Sequence, residues 1–485
     1  MKNGQLAVWV GVILLFGLLR LTSLNAYPPF IDETLHVFST EKLAEISPFY
    51  NTNLARQGTL WAYALFAPTV STSPIWMARV VTVLFSLIGL ASVMSIARIW
   101  GGAWAGIFAG VLYGLSTYHY FFERLALSDN LMASVVLLSV AFASRFRYHA
   151  RFSDALLCGM GLFVAFLMKT SALPYFALPV LAVLFVRPQA SWGLRVRWGS
   201  IALGSVLVLS GAFFVGVGVL GYDLFGNAIG FAVSGVSRNL DGGAVSGLFN
   251  LERILANSQT RLVMLLSYWG APLVVMSFVA MLWLMIKGRL FLVAVWGVPA
   301  LALVMAGVQE SRYWGAILAL MLVGVGVFMA QLPRVGRVLT VLGVAVWGVG
   351  VFLPFAQVAT QNPVALALDA PDVRQYIQSD ATGFGLDETI AFLQSQEAQS
   401  VLGVLANCQG LRYRAWGVLA VDCPRLSSAG EDIEAIMRYA KDVYQGRFAV
   451  LEDSPYAPSA LDGDILRVVP RPSVRAHLTI YALSR

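Results

Sequence analysis

Residues 76–97 read WMARVVTVLFSLIGLASVMSIA, with a single charge, Arg79, near the start. The bilayer core offers backbone groups no partner, so a chain crosses it as a helix of about 20 mostly apolar residues. This stretch fits that description. Working outward, similar runs occupy 6–24, 103–121, 130–146, 154–168, 170–186, 198–220, 262–286, 290–307, 313–331 and 338–355. About eleven spans are expected, with the division around Lys169 the least sharply drawn. The first run follows Lys2 and ends on Leu24-Asn25-Ala26, a poor cleavage site. It is also longer than a signal-peptide core, so it reads as a retained span.

Composition supports the same fold class. Of 485 residues, 58% are hydrophobic and only 12% charged. The mean hydropathy is +0.73. A soluble domain carries about 25% charge, so soluble, disordered and disulfide-scaffold classes are excluded. The net charge of +7 does not indicate a nucleic-acid partner, because the basic residues are scattered between apolar runs. Arg98, Arg145, Arg147, Arg151, Arg187, Arg195, Arg197, Lys287, Arg289, Arg334 and Arg337 fall on one side once Lys2 is placed in the cytoplasm. Of the acidic residues before 356, only Asp154 joins them. The others, from Asp32 to Glu310, fall on the outer side.

From about residue 356 the character changes. Residues 356–485 hold 15 of the 26 acidic residues and 11 of the 33 basic ones. This divides the chain into a membrane domain, 1–355, and an extracytoplasmic domain, 356–485. Helical patterns at 386–394 and 432–439 alternate with strand patterns at 401–406, 417–421, 448–451 and 477–483, which implies an α/β module. Cys408 and Cys423 lie in it, as a disulfide or as two buried thiols; spacing does not decide. Cys158, inside a span, reads as packing. In the first outer loop, 32–47 and 59–70 suit juxtamembrane helices lying in the interface plane.

Ionisable groups at a membrane are costly and usually have a reason. Here they gather at four places on the outer face. Pro28-Pro29-Phe30-Ile31-Asp32-Glu33-Thr34-Leu35-His36 follows the first span. Asp32 and Glu33 suit a helix N-terminus, and equally a carboxylate base for a hydroxyl acceptor, with His36 one turn away. Tyr118-His119 through Glu123-Arg124 to Ser128-Asp129 crowds three charges, Glu123, Arg124 and Asp129, into a short turn. A surface pair with a capping Asp129 competes with a second site carboxylate and a phosphate-binding Arg124. Lys169 and Arg312, beside Glu310 and Tyr313, are the remaining cations. Snorkelling and local pairing compete with a clamp on a phosphodiester. Carboxylates with separate cations at a lipid–water face suit sugar transfer from a lipid phosphate. That leaving group needs cationic stabilisation, and the acceptor hydroxyl needs one base.

These pieces resemble the GT-C glycosyltransferases, in particular the protein O-mannosyltransferase-like and aminoarabinose transferase families. Asp32-Glu33 resembles their Asp-Glu loop, and Ala78-Arg79 the start of their second span. Tyr118–Asp129, Lys169-Thr170 and Glu310-Ser311-Arg312-Tyr313 resemble later steps in the same order. The resemblance covers about residues 1–330. It implies a GT-C membrane fold, a polyprenyl-phosphate-linked sugar donor, and a protein, glycolipid or glycan acceptor. It makes Asp32, Glu33 and Asp129 catalytic. Lys169, Arg312 and Arg124 would bind the donor phosphate, with His36, His119, Glu123 and Tyr313 in support. It also implies a bacterial plasma membrane. A divalent cation (Mg or Mn) on Asp32 and Asp129 is left open. Two features depart from the pattern. Arg56-Gln57-Gly58 stands where the aminoarabinose transferase has Glu-Lys-Pro, and 221–261 is too short for a β-trefoil insert. The rival reading is a lipid transporter or flippase, which would place its polar groups near the midplane.

Overall fold

The computed structural model describes residues 3–45, 56–65, 73–186, 191–221, 250–308, 310–424, 444, 446–452, 463–472 and 477–483. Six described helices are long and apolar enough to cross a membrane. They are Gly4–Leu21, Pro74–Gly101, Trp192–Val219, Leu251–Ile286, Ser311–Gln331 and Arg334–Gln361. Shorter apolar helices, among them Ala103–Leu115, Phe152–Met168 and Leu290–Met305, complete the bundle. Helix Gly315–Gln331 is buried along nearly its whole length and forms the centre. Small residues let its neighbours approach: a Cβ at Gly326 would stand 2.7 Å from the backbone nitrogen of Ala109.

Helix ends depart from the expected spans for local reasons. The run around Lys169 breaks there: Lys169 is extended, and Pro174 keeps Thr170–Ala177 in a 3₁₀ turn. Leu251–Ile286 starts earlier than its apolar core and kinks at Gly270, whose φ of 67° suits glycine, just before Pro272. The juxtamembrane pattern at 32–47 forms the helix Ile31–Glu45, and the helix Gln57–Ala64 overlaps the second. Residues 222–249 lie outside the described residues.

The tail builds a five-stranded mixed sheet in the order β2-β1-β3-β5-β4. The strands are β1 (Ser400–Val404), β2 (Ala420–Asp422), β3 (Phe448–Glu452), β4 (Gly463–Pro470) and β5 (His477–Leu483). Period-two alternation sends Val401 and Val450 to one face, under the helices Leu386–Ser395 and Cys408–Arg414. Leu402 and Leu451 face the other side. Strand β4 and the helix Cys408–Arg414 were not anticipated. β4 is an edge strand with mostly exposed residues, so it lacks a buried stripe. The expected helix at 432–439 lies outside the described residues. Cys408 and Cys423 are joined as a disulfide, and Cys158 is buried and free.

The sheet domain is seated on the chain after the first helix. Asn407 Nδ2 donates to the Pro29 carbonyl (2.8 Å), and the Ile31 N–H donates to Ala381 O (2.9 Å). A Cβ at Gly383 would stand 2.7 Å from the Pro29 oxygen, so only glycine permits this approach. Helix Ile31–Glu45 is thereby held between bundle and sheet.

Candidate active site

Four element ends converge. Asp32 lies in the first turn of Ile31–Glu45, and Asp129 in the first turn of Ser128–Arg145. Both are favourable places for a carboxylate. Lys169 comes from the break after Met168, and Arg312 from the 3₁₀ turn Ser311–Trp314. Lys169 Nζ donates to both Asp129 oxygens, at 2.7 and 2.8 Å. Arg312 Nη1 pairs with Asp32, and its Nε lies 3.9 Å from Asp129. Charges therefore alternate as Lys169, Asp129, Arg312, Asp32. Tyr313 lies beneath, with Lys169 Nζ 4.4 Å from its ring centre. The inner pair is buried, whereas Arg312 and Asp32 keep 10% and 17% side-chain exposure. The row thus opens at its Asp32 end.

Burial pushes the Asp32 carboxyl up, but Arg312, then Arg56 and His36, pull it below the ordinary range. It is ionised at any working pH. His36 is pushed down to about 3, chiefly by burial and then by Arg56. Its Nδ1 donates to the Ala126 carbonyl (3.0 Å), so Nε2 presents a lone pair, buried and without a partner. Arg312 Nε–H likewise makes no hydrogen bond.

The remaining expected residues sit differently. Glu33 follows Asp32 in sequence, yet its carboxylate is fully engaged. It accepts from Arg79 Nε (2.8 Å) and Nη2 (2.7 Å), and from the N–H groups of Ala126 (2.7 Å) and Phe30 (2.9 Å). Arg79 also donates to the carbonyls of Leu24 (2.6 Å) and Tyr27 (2.8 Å). This pair clamps the loop that carries Asp32. Arg124 is not in the row; it donates to the Thr22 and Ser23 carbonyls and stacks on Tyr120. Glu123 pairs with the buried Arg20 (3.0 Å) and Tyr113. His119 bridges Ser116 (2.9 Å) and Gly315 (3.1 Å). All three serve the bundle's packing. Arg79 and Arg20 had a sequence signal: each is a lone charge within or ending an apolar run, which calls for a buried counter-ion.

The residues present do not suit a divalent cation. Asp32 and Asp129 each already face a cation, and Arg312 occupies the space between them. Among the described residues no cluster of three or more His, Cys, Asp or Glu has the spacing to hold one.

A cleft of about 600 Å³ lies between Ile31–Glu45 and the sheet domain. Leu35, Phe38, Lys42, Gln409, Arg412 and Asp422 help to line it. Leu35 is one turn from Asp32 on the same helix.

No family model and no curated protein matches the chain. Solved structures do. ArnT from Cupriavidus metallidurans bound to undecaprenyl phosphate superposes with a TM-score of 0.60 at 17% identity, over 99% of this chain and 98% of that one. Its apo state gives 0.62 at 16%, with the same coverage. The oligosaccharyltransferase AglB from Archaeoglobus fulgidus, with an inhibitory peptide and a dolichol-phosphate, gives 0.55 at 11% over 93% and 69%. At these identities the likeness is one of architecture: the chain is a polytopic helical protein of the GT-C fold carrying a small C-terminal sheet domain.

Proposed function

We propose that the protein is a membrane glycosyltransferase that moves a sugar from a polyprenyl phosphate to a hydroxyl acceptor, with Asp32 as base. The observation that carries this is the alternating row of Lys169, Asp129, Arg312 and Asp32 at converging helix ends. Two of the similar structures hold polyprenyl-type lipid phosphates, which supports the donor class.

The chemistry runs in one displacement. The acceptor oxygen bonds to the anomeric carbon as the bond from that carbon to the phosphate oxygen breaks. The electron pair leaves with the lipid phosphate, held by Lys169 and Arg312, and the hydroxyl proton passes to Asp32. Asp32 paired with Arg312 is a weak base. An incoming phosphate competes for that guanidinium, and as Arg312 turns to it, burial is left to raise the carboxyl. Donor binding therefore prepares the base. Asp129 holds Lys169 in place, and Arg56, which acts on both Asp32 and His36, adds positive potential. The cleft beside Leu35 admits the acceptor, a protein, glycolipid or glycan. Under this reading 1–355 is the catalytic membrane domain and 356–485 lies outside the cytoplasm, at a bacterial plasma membrane.

Membranes supplied with a radiolabelled polyprenyl-phosphate sugar test this. Asp32→Asn should abolish transfer while donor binding persists. Undiminished transfer would remove Asp32 as base. Passage of intact donor across the bilayer without release of lipid phosphate would favour a flippase instead.

A further inference from the structure

One group beside the row belongs to neither the bundle nor the first loop. The chain leaves the last apolar helix at Gln361 and passes through the short segment Ala370–Gln378 before the sheet domain. Its second half, Arg374–Gln378, is a π-helical turn, a geometry often found at functional sites. Tyr376 points inward from that turn and is fully buried. Its ring packs on Phe30 (4.7 Å between centres), Phe121 (5.5 Å) and Phe122 (5.8 Å). The segment is fixed at two points. Tyr27 OH donates to the Tyr376 carbonyl, and Tyr268 OH donates to Asp372 at 2.6 Å.

The Tyr376 hydroxyl is buried and has no hydrogen-bond partner. An orphaned buried hydroxyl costs about 1–3 kcal/mol, so it calls for a partner, and beside charged groups a bound anion can supply one. Phe30 stands two residues before Asp32, and the charges acting most on the phenol are Arg312, Asp372, Asp129 and Asp32, in that order. Arg312 Nε–H is orphaned in the same region.

We propose that Tyr376 is a binding residue for the donor's phosphate, its hydroxyl donating to a phosphate oxygen held by Arg312. This rests on the glycosyltransferase reading above. Chemistry selects the phosphate. Lys169 and Arg312 are each partly engaged by Asp129 and Asp32. A phosphate with several oxygens needs further donors, and a neutral phenol supplies one without altering the charge balance of the row. The linker to the sheet domain thereby becomes part of the donor site.

Tyr376→Phe tests this, because it keeps the ring packing and removes only the hydroxyl. The full-length protein is purified in detergent, and binding of a polyprenyl phosphate is compared with that of the matching polyprenyl alcohol. The variant should bind the phosphate about 3- to 10-fold more weakly, the range of one lost neutral hydrogen bond. The alcohol should bind as before, and thermal stability should not fall. Equal loss for both lipids would show a packing role and overturn the proposal. Unchanged affinity for the phosphate would overturn it too. Failure of the unaltered protein to prefer the phosphate over the alcohol would strike the parent reading itself.

Discussion

Glu33→Gln separates a structural from a chemical role for the second carboxylate. In the folded protein Glu33 accepts four hydrogen bonds, two on each oxygen. An amide has one oxygen, so in either orientation its NH₂ faces two donors. Flipped one way it meets Phe30 N–H and Arg79 Nη2; flipped the other way, Ala126 N–H and Arg79 Nε. The buried Arg79 guanidinium also loses its counter-ion. Breaking a buried pair from one side costs about 3–5 kcal/mol. Arg79 keeps the carbonyls of Leu24 and Tyr27, which places the expected loss toward the lower end. Heating detergent-purified protein and following the soluble monomer reads this as an earlier transition, since unfolding here is a rate process. The double variant Glu33→Gln with Arg79→Met should be less damaged than the two single losses added together. If Glu33→Gln keeps the parent's thermal transition but loses sugar transfer, the clamp reading is wrong and Glu33 belongs to the chemistry.

Burial pushes the Asp372 carboxyl up to about 6, with the Tyr268 hydrogen bond drawing it partly back. The folded state therefore holds a proton that the unfolded chain releases between about pH 4 and 6. That stabilisation is complete below about pH 4 and gone above pH 6. Thermal stability should fall from pH 5 to 7.5 more steeply in the parent than in Asp372→Asn; parallel profiles refute it. Arg312→Gln removes the strongest downward pull on Asp32 while burial stays. The acid limb of kcat/KM, measured at limiting donor so that it reports the free enzyme, should shift to higher pH, and an unmoved limb would detach Arg312 from the base. The disulfide closes a separation of 15 residues, worth about 3 kcal/mol. Replacing Cys408 and Cys423 with serine should speed proteolysis of the sheet domain; equal digestion rates would contradict this.

Much of this architecture was legible in the chain because lipid is a strict solvent. Apolar runs such as 76–97 could be placed by length alone, and the helix Pro74–Gly101 contains that run. Period-two strands with buried faces, such as Ser400–Val404, were equally visible. The edge strand Gly463–Pro470 was not, since Asp464 and Arg467 interrupt its pattern and most of its residues face out. Asp32, Asp129, Lys169 and Arg312 were legible because each is a charge at or shortly beyond the end of an apolar run. Tyr376 was hidden. A tyrosine in a polar linker carries no signal until the fold buries it.

The conspicuous charges divide by what their hydrogen-bonding capacity does in the folded state, a property invisible in sequence. Glu33, Glu123 and Arg79 spend theirs on carbonyls, N–H groups, a tyrosine hydroxyl and buried counter-charges. Their energy is already realised in the resting protein, and a ligand would have to break it. Arg312, His36 and Tyr376 each retain a buried atom with no partner. Their desolvation cost is outstanding, and an incoming group can relieve it. A resting site built this way binds an anion by exchange: Arg312 gives up Asp32 and gains a phosphate oxygen. The net charge of the row stays balanced in the protein, while the carboxylate that is released gains basicity when the acceptor arrives. Substrate recognition and base activation are then one electrostatic event, which explains why the catalytic carboxylate is stored against a cation.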